Sequence, residues 1–175
     1  MNIHWTSYPC PVGPLTLVEC EAGALVVEFP ARALRLGWQE RVRALHPRAT
    51  VEMGPCAATR EWLDGYFAGQ PAPFPFPYHL GKFFDLSPAQ VVVARALWEI
   101  PFGETRSYDD IARATGLHPR QVGQLVGANH LAICIPCHRV VGKQGDLVGY
   151  GGGLPRKRWL LDHELRAAGL VLRSY

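Results

Sequence analysis

The sequence predicts an α/β first half followed by a mainly helical second half that carries a helix-turn-helix. Three observations give this reading: short apolar runs around a glycine-containing turn over residues 15–29, a proline at every second position over 71–77, and recurring helix-start and helix-stop residues from Ser87 onward. The chain has 175 residues, 48% hydrophobic and 19% charged. That is ample apolar surface for one domain or two small ones, and too apolar a composition for a disordered chain.

The elements follow in order. Residues 15–20 and 25–29 read as a hairpin around Glu21-Ala22-Gly23-Ala24. Helices are expected over 34–45 and 57–67, the second placing Trp62, Tyr66 and Phe67 near one face and stopping at Gly69. The proline-rich stretch 71–77 cannot continue a helix or sit in a central strand, so it reads as a stiff, extended segment. A linker at 71–85 then separates a domain over 1–80 from one over 86–175. Ser87 as N-cap, Pro88 at the first helical position and Gln90 three residues after the cap open a helix that runs to Ile100, before Pro101 and Gly103. Ser107 opens the next, with Asp109 and Asp110 in its first turn and Gly116 at its end. Pro119 starts a short helix through Arg120, Val122 and Val126 to about Ala128, and a last helix runs from near Pro155 through Trp159, Leu161 and Leu165 to Gly169.

Charge is unevenly placed: residues 1–85 hold seven Lys+Arg against eight Asp+Glu, and residues 86–175 hold eleven against seven. An anionic partner should therefore meet the second half. No apolar run reaches 18 residues, and the first residues lack the basic start and apolar stretch of a signal peptide. The chain is therefore expected in the cytoplasm, associated with the nucleoid if the cell is prokaryotic, and without membrane contact. There its five cysteines should be reduced, as core residues, metal ligands or nucleophiles rather than a disulfide framework.

Three features could carry chemistry. In the predicted helix pair, Ala112, Gly116 and Val122 fall at offsets that suit close helix approach, a tight turn and a core anchor. The pattern fits a plain two-helix corner as well as a DNA-binding pair. Its second helix offers Arg120, Gln121 and Gln124 together with Gly123 and Gly127, small residues that suit close approach to a backbone or a narrow groove. The second feature is 133–141, where Cys134 and Cys137 form a CxxC pair. A redox reading lacks the usual βαβ setting and a zinc reading lacks a second ligand pair, so Cys134 fits a small buried hydrophobe. A free thiol titrates near about 8.5 and needs a base or a positive environment to act as a nucleophile. For Cys137, fixed by Pro136, His138 could be that base, directly or through a water; alternatively His138 and Arg139 satisfy backbone carbonyls. The third is Glu164 in the last helix, either an orienter for a histidine or part of a solvated face.

The run Pro136-Cys137-His138-Arg139-Val140-Val141-Gly142, with Asn129 before it and Gly149-Tyr150-Gly151-Gly152-Gly153-Leu154 and Lys157-Arg158-Trp159-Leu160-Leu161 after it, closely resembles the O6-alkylguanine-DNA alkyltransferase family, the methylated-DNA–protein-cysteine methyltransferases. The resemblance is strong from about Ser87 to Glu164 and weaker over 1–80. It implies a ribonuclease H-like N-terminal domain, a winged-helix-like C-terminal domain, and a monomer that needs no cofactor and no metal. It further implies single-turnover repair of double-stranded DNA, bound through the minor groove: O6-alkylguanine, and O4-methylthymine beside it, is flipped out and its alkyl group moves irreversibly to cysteine.

Carried over residue by residue, Cys137 would be the acceptor, His138 the base acting through a water, and Glu164 the group that holds the imidazole. Tyr108 would crowd the target phosphate and donate toward the departing guanine, Arg120 would fill the gap in the stack, and Asn129 would brace the turn. Gln121, Gly123 and Gln124 join Arg120 on the DNA-facing helix. Pro136, Val140, Tyr150 and Gly151 would form the pocket, the carbonyls of Cys137 and Val140 receiving the guanine amino group. The sequence departs from the family in having His130 where proline usually follows the asparagine, and Gly151 where some members have serine. Of a zinc site found in some members, Cys20 could match one ligand with His4, Cys10 or His79, an incomplete set.

Overall fold

A computed structural model describes residues 1–70 and 72–169. The first half is built on a sheet of four strands: β1 (Asn2–Tyr8), β2 (Leu15–Cys20), β3 (Gly23–Glu28) and, after helices α1 (Pro30–Leu36) and α2 (Trp38–Leu45), β4 (Thr50–Met53). The order is β3-β2-β1-β4, antiparallel except for the β1–β4 pair. The expected hairpin is present, but Gly23 and Ala24 belong to its second strand, pairing with Cys20 and Glu19. The single helix expected over 34–45 is two helices, because Gly37 adopts φ 57° and its N–H closes onto Leu34 O at 3.1 Å. Strands β1 and β4 went unforeseen; β4 is exposed along its whole length and so carries no apolar alternation to read.

Helix α3 (Ala57–Phe67) packs its Leu63 and Tyr66 into the core. Residues 72–77 of the proline-rich stretch form neither helix nor strand, as expected, and both neighbouring tryptophans hold them: Trp62 Nε1 donates to Ala72 O at 3.1 Å and Trp98 Nε1 to Phe74 O at 2.6 Å. Pro71, where the linker was expected to begin, lies outside the described residues.

The second half contains α4 (Leu80–Phe83), α5 (Pro88–Trp98), β5 (Arg106–Ser107), α6 (Tyr108–Thr115), α7 (Pro119–Gly127), a single 3-10 turn at Cys137–Arg139, β6 (Val140–Val141) and α8 (Leu154–Ala167). Ser87 and Ser107 both form capping boxes, with Gln90 and Asp110 as the reciprocal partners. Helix α8 stops two residues before Gly169, which takes φ 68°. Buried side chains from both halves, among them Leu17, Val26 and Leu63 with Val93, Val122 and Leu160, form one contiguous core. No helix among the described residues is long and apolar enough to cross a membrane.

One contact between the halves positions the site. Strand β3 is the sheet edge, and its open side takes up the chain just after α7: Val27 N–H donates to His130 O at 2.9 Å and Ala132 N–H to Val27 O at 2.7 Å. The segment leading to Cys137 is thus held by the sheet of the first half.

Candidate active site

Between α7 and the 3-10 turn the chain has no regular structure, so its backbone groups need other partners. Asn129 supplies them. Its Nδ2 donates to Ile135 O at 2.9 Å, Leu131 O at 3.2 Å and Cys137 Sγ at 3.2 Å, while its Oδ1 accepts from Leu131 N–H at 3.1 Å. Ile133, a β-branched residue at φ 72°, sits in the left-handed region, a strained conformation that these flanking bonds impose. At the position where proline is usual, His130 accepts from Arg41 Nη1 at 2.9 Å and stacks on Phe84 at 5.2 Å. Burial, with Arg41 and Arg32 nearby, lowers its pKa to about 4, so it stays a neutral acceptor.

Cys137 opens the 3-10 turn and is 8% exposed. Burial pushes its thiol up to about 11, opposed by the Asn129 hydrogen bond and by the charges of Arg32 and Lys157. A thiol so placed is protonated at neutral pH and needs a base to become a nucleophile. The adjacent His138 is fully buried, and its Nε2 lies 2.6 Å from Glu164 Oε1. Burial would raise the Glu164 carboxyl, but His138 and Arg139 hold it well below the usual carboxylate range. An ionised Glu164 can only accept, so Nε2 carries the proton and Nδ1 is the basic lone pair. Nδ1 has no hydrogen-bond partner among the described residues, and burial lowers the pKa of His138, leaving it neutral near pH 7.

Glu164 is itself fully buried at the centre of five donors. Oε1 also receives Tyr66 Oη at 2.8 Å and Arg139 Nη2 at 3.0 Å, and Oε2 receives Arg139 Nε at 2.9 Å and Gly103 N–H at 3.0 Å. Arg139 completes its own bonding on Ile100 O at 2.6 Å. A second buried cation, Lys157, reaches the Val140 carbonyl at 2.5 Å and the Val148 carbonyl at 2.6 Å, and burial lowers its pKa to about 8.

A cavity of ≈ 160 Å³ lies at Cys137, walled by Tyr108, Tyr150 and Gly151, by Gly123 and Gly127 of α7, and by Glu28 and Arg32 of the first half. Tyr108 donates to Gly149 O at 3.3 Å, and the buried Tyr150 hydroxyl has no partner among the described residues. Both phenols are raised by burial and by the nearby Cys137, so they keep their protons. A Cβ at Gly151 would come within 2.2 Å of the Arg32 guanidinium, which Glu28 holds at 2.8 Å. Arg32 thus fills the space a side chain at position 151 would take, and a larger residue there would have to displace the guanidinium. Arg120, Gln121 and Gln124 are exposed on α7.

The structure thus gathers Cys137, His138, Glu164, Asn129, Tyr108, Tyr150, Gly151 and Gly123 around one place. The side chains of two expected pocket residues lie elsewhere. Pro136 lines a separate cavity of ≈ 220 Å³ with Tyr66, Trp98 and Arg139, because the 3-10 turn it fixes stands between the two spaces. The side chain of Val140 is buried in the core, and its carbonyl accepts from Lys157. Cys134 is 2% exposed with its thiol pushed well up by burial, a packing residue. No group of three metal-binding side chains occurs among the described residues; His4 pairs with Glu52, Cys10 with Gly13 O and His79 with Ala24 O.

Sequence reasoning missed Tyr66, Arg32, Glu28 and Lys157. Tyr66 showed only as one of three aromatics on a helix face, and its partner Glu164 lies 98 residues away. Lys157 stood within the recognised motif, yet nothing local marks a lysine whose partners are carbonyls. For Arg32 and Glu28 the i,i+4 spacing was visible, but it is shared by any surface ion pair.

Two family models match the chain: 6-O-methylguanine DNA methyltransferase, ribonuclease-like domain, over residues 3–80, and 6-O-methylguanine DNA methyltransferase, DNA binding domain, over residues 88–166. A methylated-DNA–protein-cysteine methyltransferase of Mycolicibacterium paratuberculosis is 39% identical over 170 residues, 94% of this chain and 93% of the relative. The constitutive methylated-DNA–protein-cysteine methyltransferase of Bacillus subtilis is 35% identical, over 92% of this chain and 94% of the relative. Among solved structures, Mycobacterium tuberculosis OGT in complex with DNA superposes with a TM-score of 0.71 at 32% identity, covering 95% of this chain and 94% of that one.

Proposed function

Because this chain belongs to the 6-O-methylguanine DNA methyltransferase family, we propose that it repairs alkylated DNA directly, moving the alkyl group of O6-alkylguanine to Cys137 in a single, irreversible turnover. The observation that carries this reading is the buried array in which Glu164 holds His138 at 2.6 Å beside a protonated Cys137 that faces a cavity under α7.

The exposed face of α7 meets double-stranded DNA from the minor groove. Gly123 and Gly127 let the helix backbone lie close, Gln121 and Gln124 contact the groove, and Arg120 takes the place of the extruded base. Unstacking costs a few kcal/mol, roughly what an inserted cation and new contacts return. The flipped base enters the cavity against Tyr150, near the Gly151 N–H, with its amino group toward the carbonyls of Cys137 and Val140.

A water held by His138 Nδ1 relays the thiol proton to the imidazole, and the imidazolium is stabilised by Glu164. The thiolate attacks the alkyl carbon, so the S–C bond forms as the C–O6 bond breaks. The electron pair stays on the purine, the Tyr108 hydroxyl donates a proton to its ring so that it leaves as the neutral 6-oxo base, and the proton held by the imidazolium restores the phenol. The product is a thioether with no leaving tendency, so each molecule acts once. Nothing in this sequence of steps needs a cofactor or a second subunit, and O4-methylthymine fits the same chemistry. The reaction belongs in the cytoplasm, and at the nucleoid if the cell is prokaryotic.

The test is incubation with duplex DNA carrying a radiolabelled O6-methyl group. One label per protein molecule should appear, on the peptide containing Cys137, and none on Cys137→Ala. Lesion binding without label transfer by the intact chain would overturn the reading in favour of a purely binding module.

A further inference from the structure

The Tyr66 hydroxyl does more than fill space. Its helix, α3, belongs to the first half of the chain, yet Oη donates to Glu164 Oε1 at 2.8 Å, the same oxygen that His138 Nε2 approaches at 2.6 Å. Tyr66 is 2% exposed, and its ring is fixed by Trp62 stacked at 5.6 Å and Phe102 edge-on at 5.9 Å. Its main-chain carbonyl accepts from His163 Nε2 of α8 at 2.8 Å. The hydroxyl is thereby set in place from both halves. Burial and the Glu164 charge raise the phenol well above its ordinary range, so it keeps its proton and donates. At 3.5 Å, Tyr66 Oη is too far from His138 Nε2 to bond it well.

Packing needs only the ring, and Arg139 already satisfies both oxygens of the carboxylate. The charged and titratable groups facing His138 are Glu164 and Lys157 of α8, Arg139 of its own turn, the neighbouring Cys137 and, from α3, Tyr66. Of the charged ones only Glu164 favours an imidazolium; the two cations oppose it. Whatever draws charge from Oε1 therefore controls how readily His138 takes a proton.

We propose that Tyr66 is a positioning residue of the alkyl-transfer reaction: by sharing Glu164 Oε1 with the imidazole it limits the pull of the carboxylate and keeps His138 a neutral, available base. The first half of the chain thus supplies part of the proton-transfer machinery. This rests on the reading of His138 as the base that activates Cys137.

The direction follows from the electrostatics. Removing the Tyr66 donor concentrates charge on Oε1, strengthens the bond to His138 and makes the imidazolium easier to form. Transfer requires the neutral imidazole, so the acid limb of the rate–pH profile moves to higher pH. Single-turnover transfer from free O6-benzylguanine, measured with the full chain from pH 5 to 9, reads this without DNA binding. Tyr66→Phe should move the acid limb up by about 0.5–1 pH unit, the scale of one hydrogen bond to a charged group. Site-specific 3-fluorotyrosine at position 66, nearly the same size with a more acidic O–H, should move it the opposite way. Phe67→Leu, which disturbs the ring packed edge-on against Tyr66 at 5.2 Å but removes no hydroxyl, should leave the limb in place. Limbs that coincide in the wild type, Tyr66→Phe and the fluorinated protein would overturn the proposal, as would equal shifts in Tyr66→Phe and Phe67→Leu. The fluorinated protein keeps the test decisive if Tyr66→Phe does not fold. Absence of transfer in the wild type would instead remove the repair reading itself.

Discussion

The helix pair α6–α7 and the segment from Asn129 to Val141 are neighbours in the chain but are held in different ways. In the helix pair, each constraint lies within a few residues: Ser107 caps α6 with Asp110, Gly116 closes it at φ 70°, and His118 caps α7 through Arg120 N–H. The segment after it has local bonds of its own, through Asn129 and short main-chain turns, but is set in place from afar, by Val27 in the sheet, Arg41 behind His130, and Tyr66 and Glu164 around the turn. A surface that must lie along DNA needs a regular, exposed helix. A site that must activate a thiol needs buried charge, and buried charge is tolerated only where several distant groups converge on it.

The sharpest way to break the contrast is Arg139→Ala. It leaves Glu164 buried without its charge partner, and the unfolding free energy from urea denaturation should fall by about 3–5 kcal/mol. A loss below about 1 kcal/mol would mean that the turn is held locally after all. Next is Asn129→Ala, which removes donors from Leu131 O, Ile135 O and the Cys137 sulfur. It should lower stability by about 1–3 kcal/mol and slow transfer to free O6-benzylguanine, since the thiolate loses a hydrogen bond. Arg120→Ala probes the other region. Repair of duplex DNA should fall on the order of tenfold, the scale of one stacking contact, while reaction with free O6-benzylguanine is unchanged. Equal losses on both substrates would remove Arg120 from base flipping. The smallest effect belongs to Ser107→Ala, which deletes one cap at a cost of about 1 kcal/mol, seen in the thermal midpoint with the chemistry untouched.

The two regions differ as much in how they are written in the sequence. Capping serines, an N1 proline and a glycine stop announced α5, α6 and α7 within two residues of their observed bounds, because the physics of helix ends acts over one turn. Cys137, His138 and Glu164 were legible for another reason: their motif matched a known family, and the spacing alone had left backbone satisfaction and a solvated helix face open. Nothing in the spacing pointed to Tyr66, Arg32 or Lys157, whose partners are a carboxylate, an ion pair beside the cavity and main-chain carbonyls brought close only by folding. Gly37 split a helix that periodicity had drawn as one, since apolar spacing alone does not report a left-handed residue.

By itself the sequence determined the helical second half and its caps, properties set by groups a few bonds apart, and its family motif supplied the residue types of the reacting array. The tertiary structure decided that Pro136 lies outside the Cys137 cavity, that Gly151 is backed by Arg32, and that Glu164 is shared between the two halves through Tyr66. Those facts depend on which low-dielectric space each polar group is buried in, and only the closed fold creates that space.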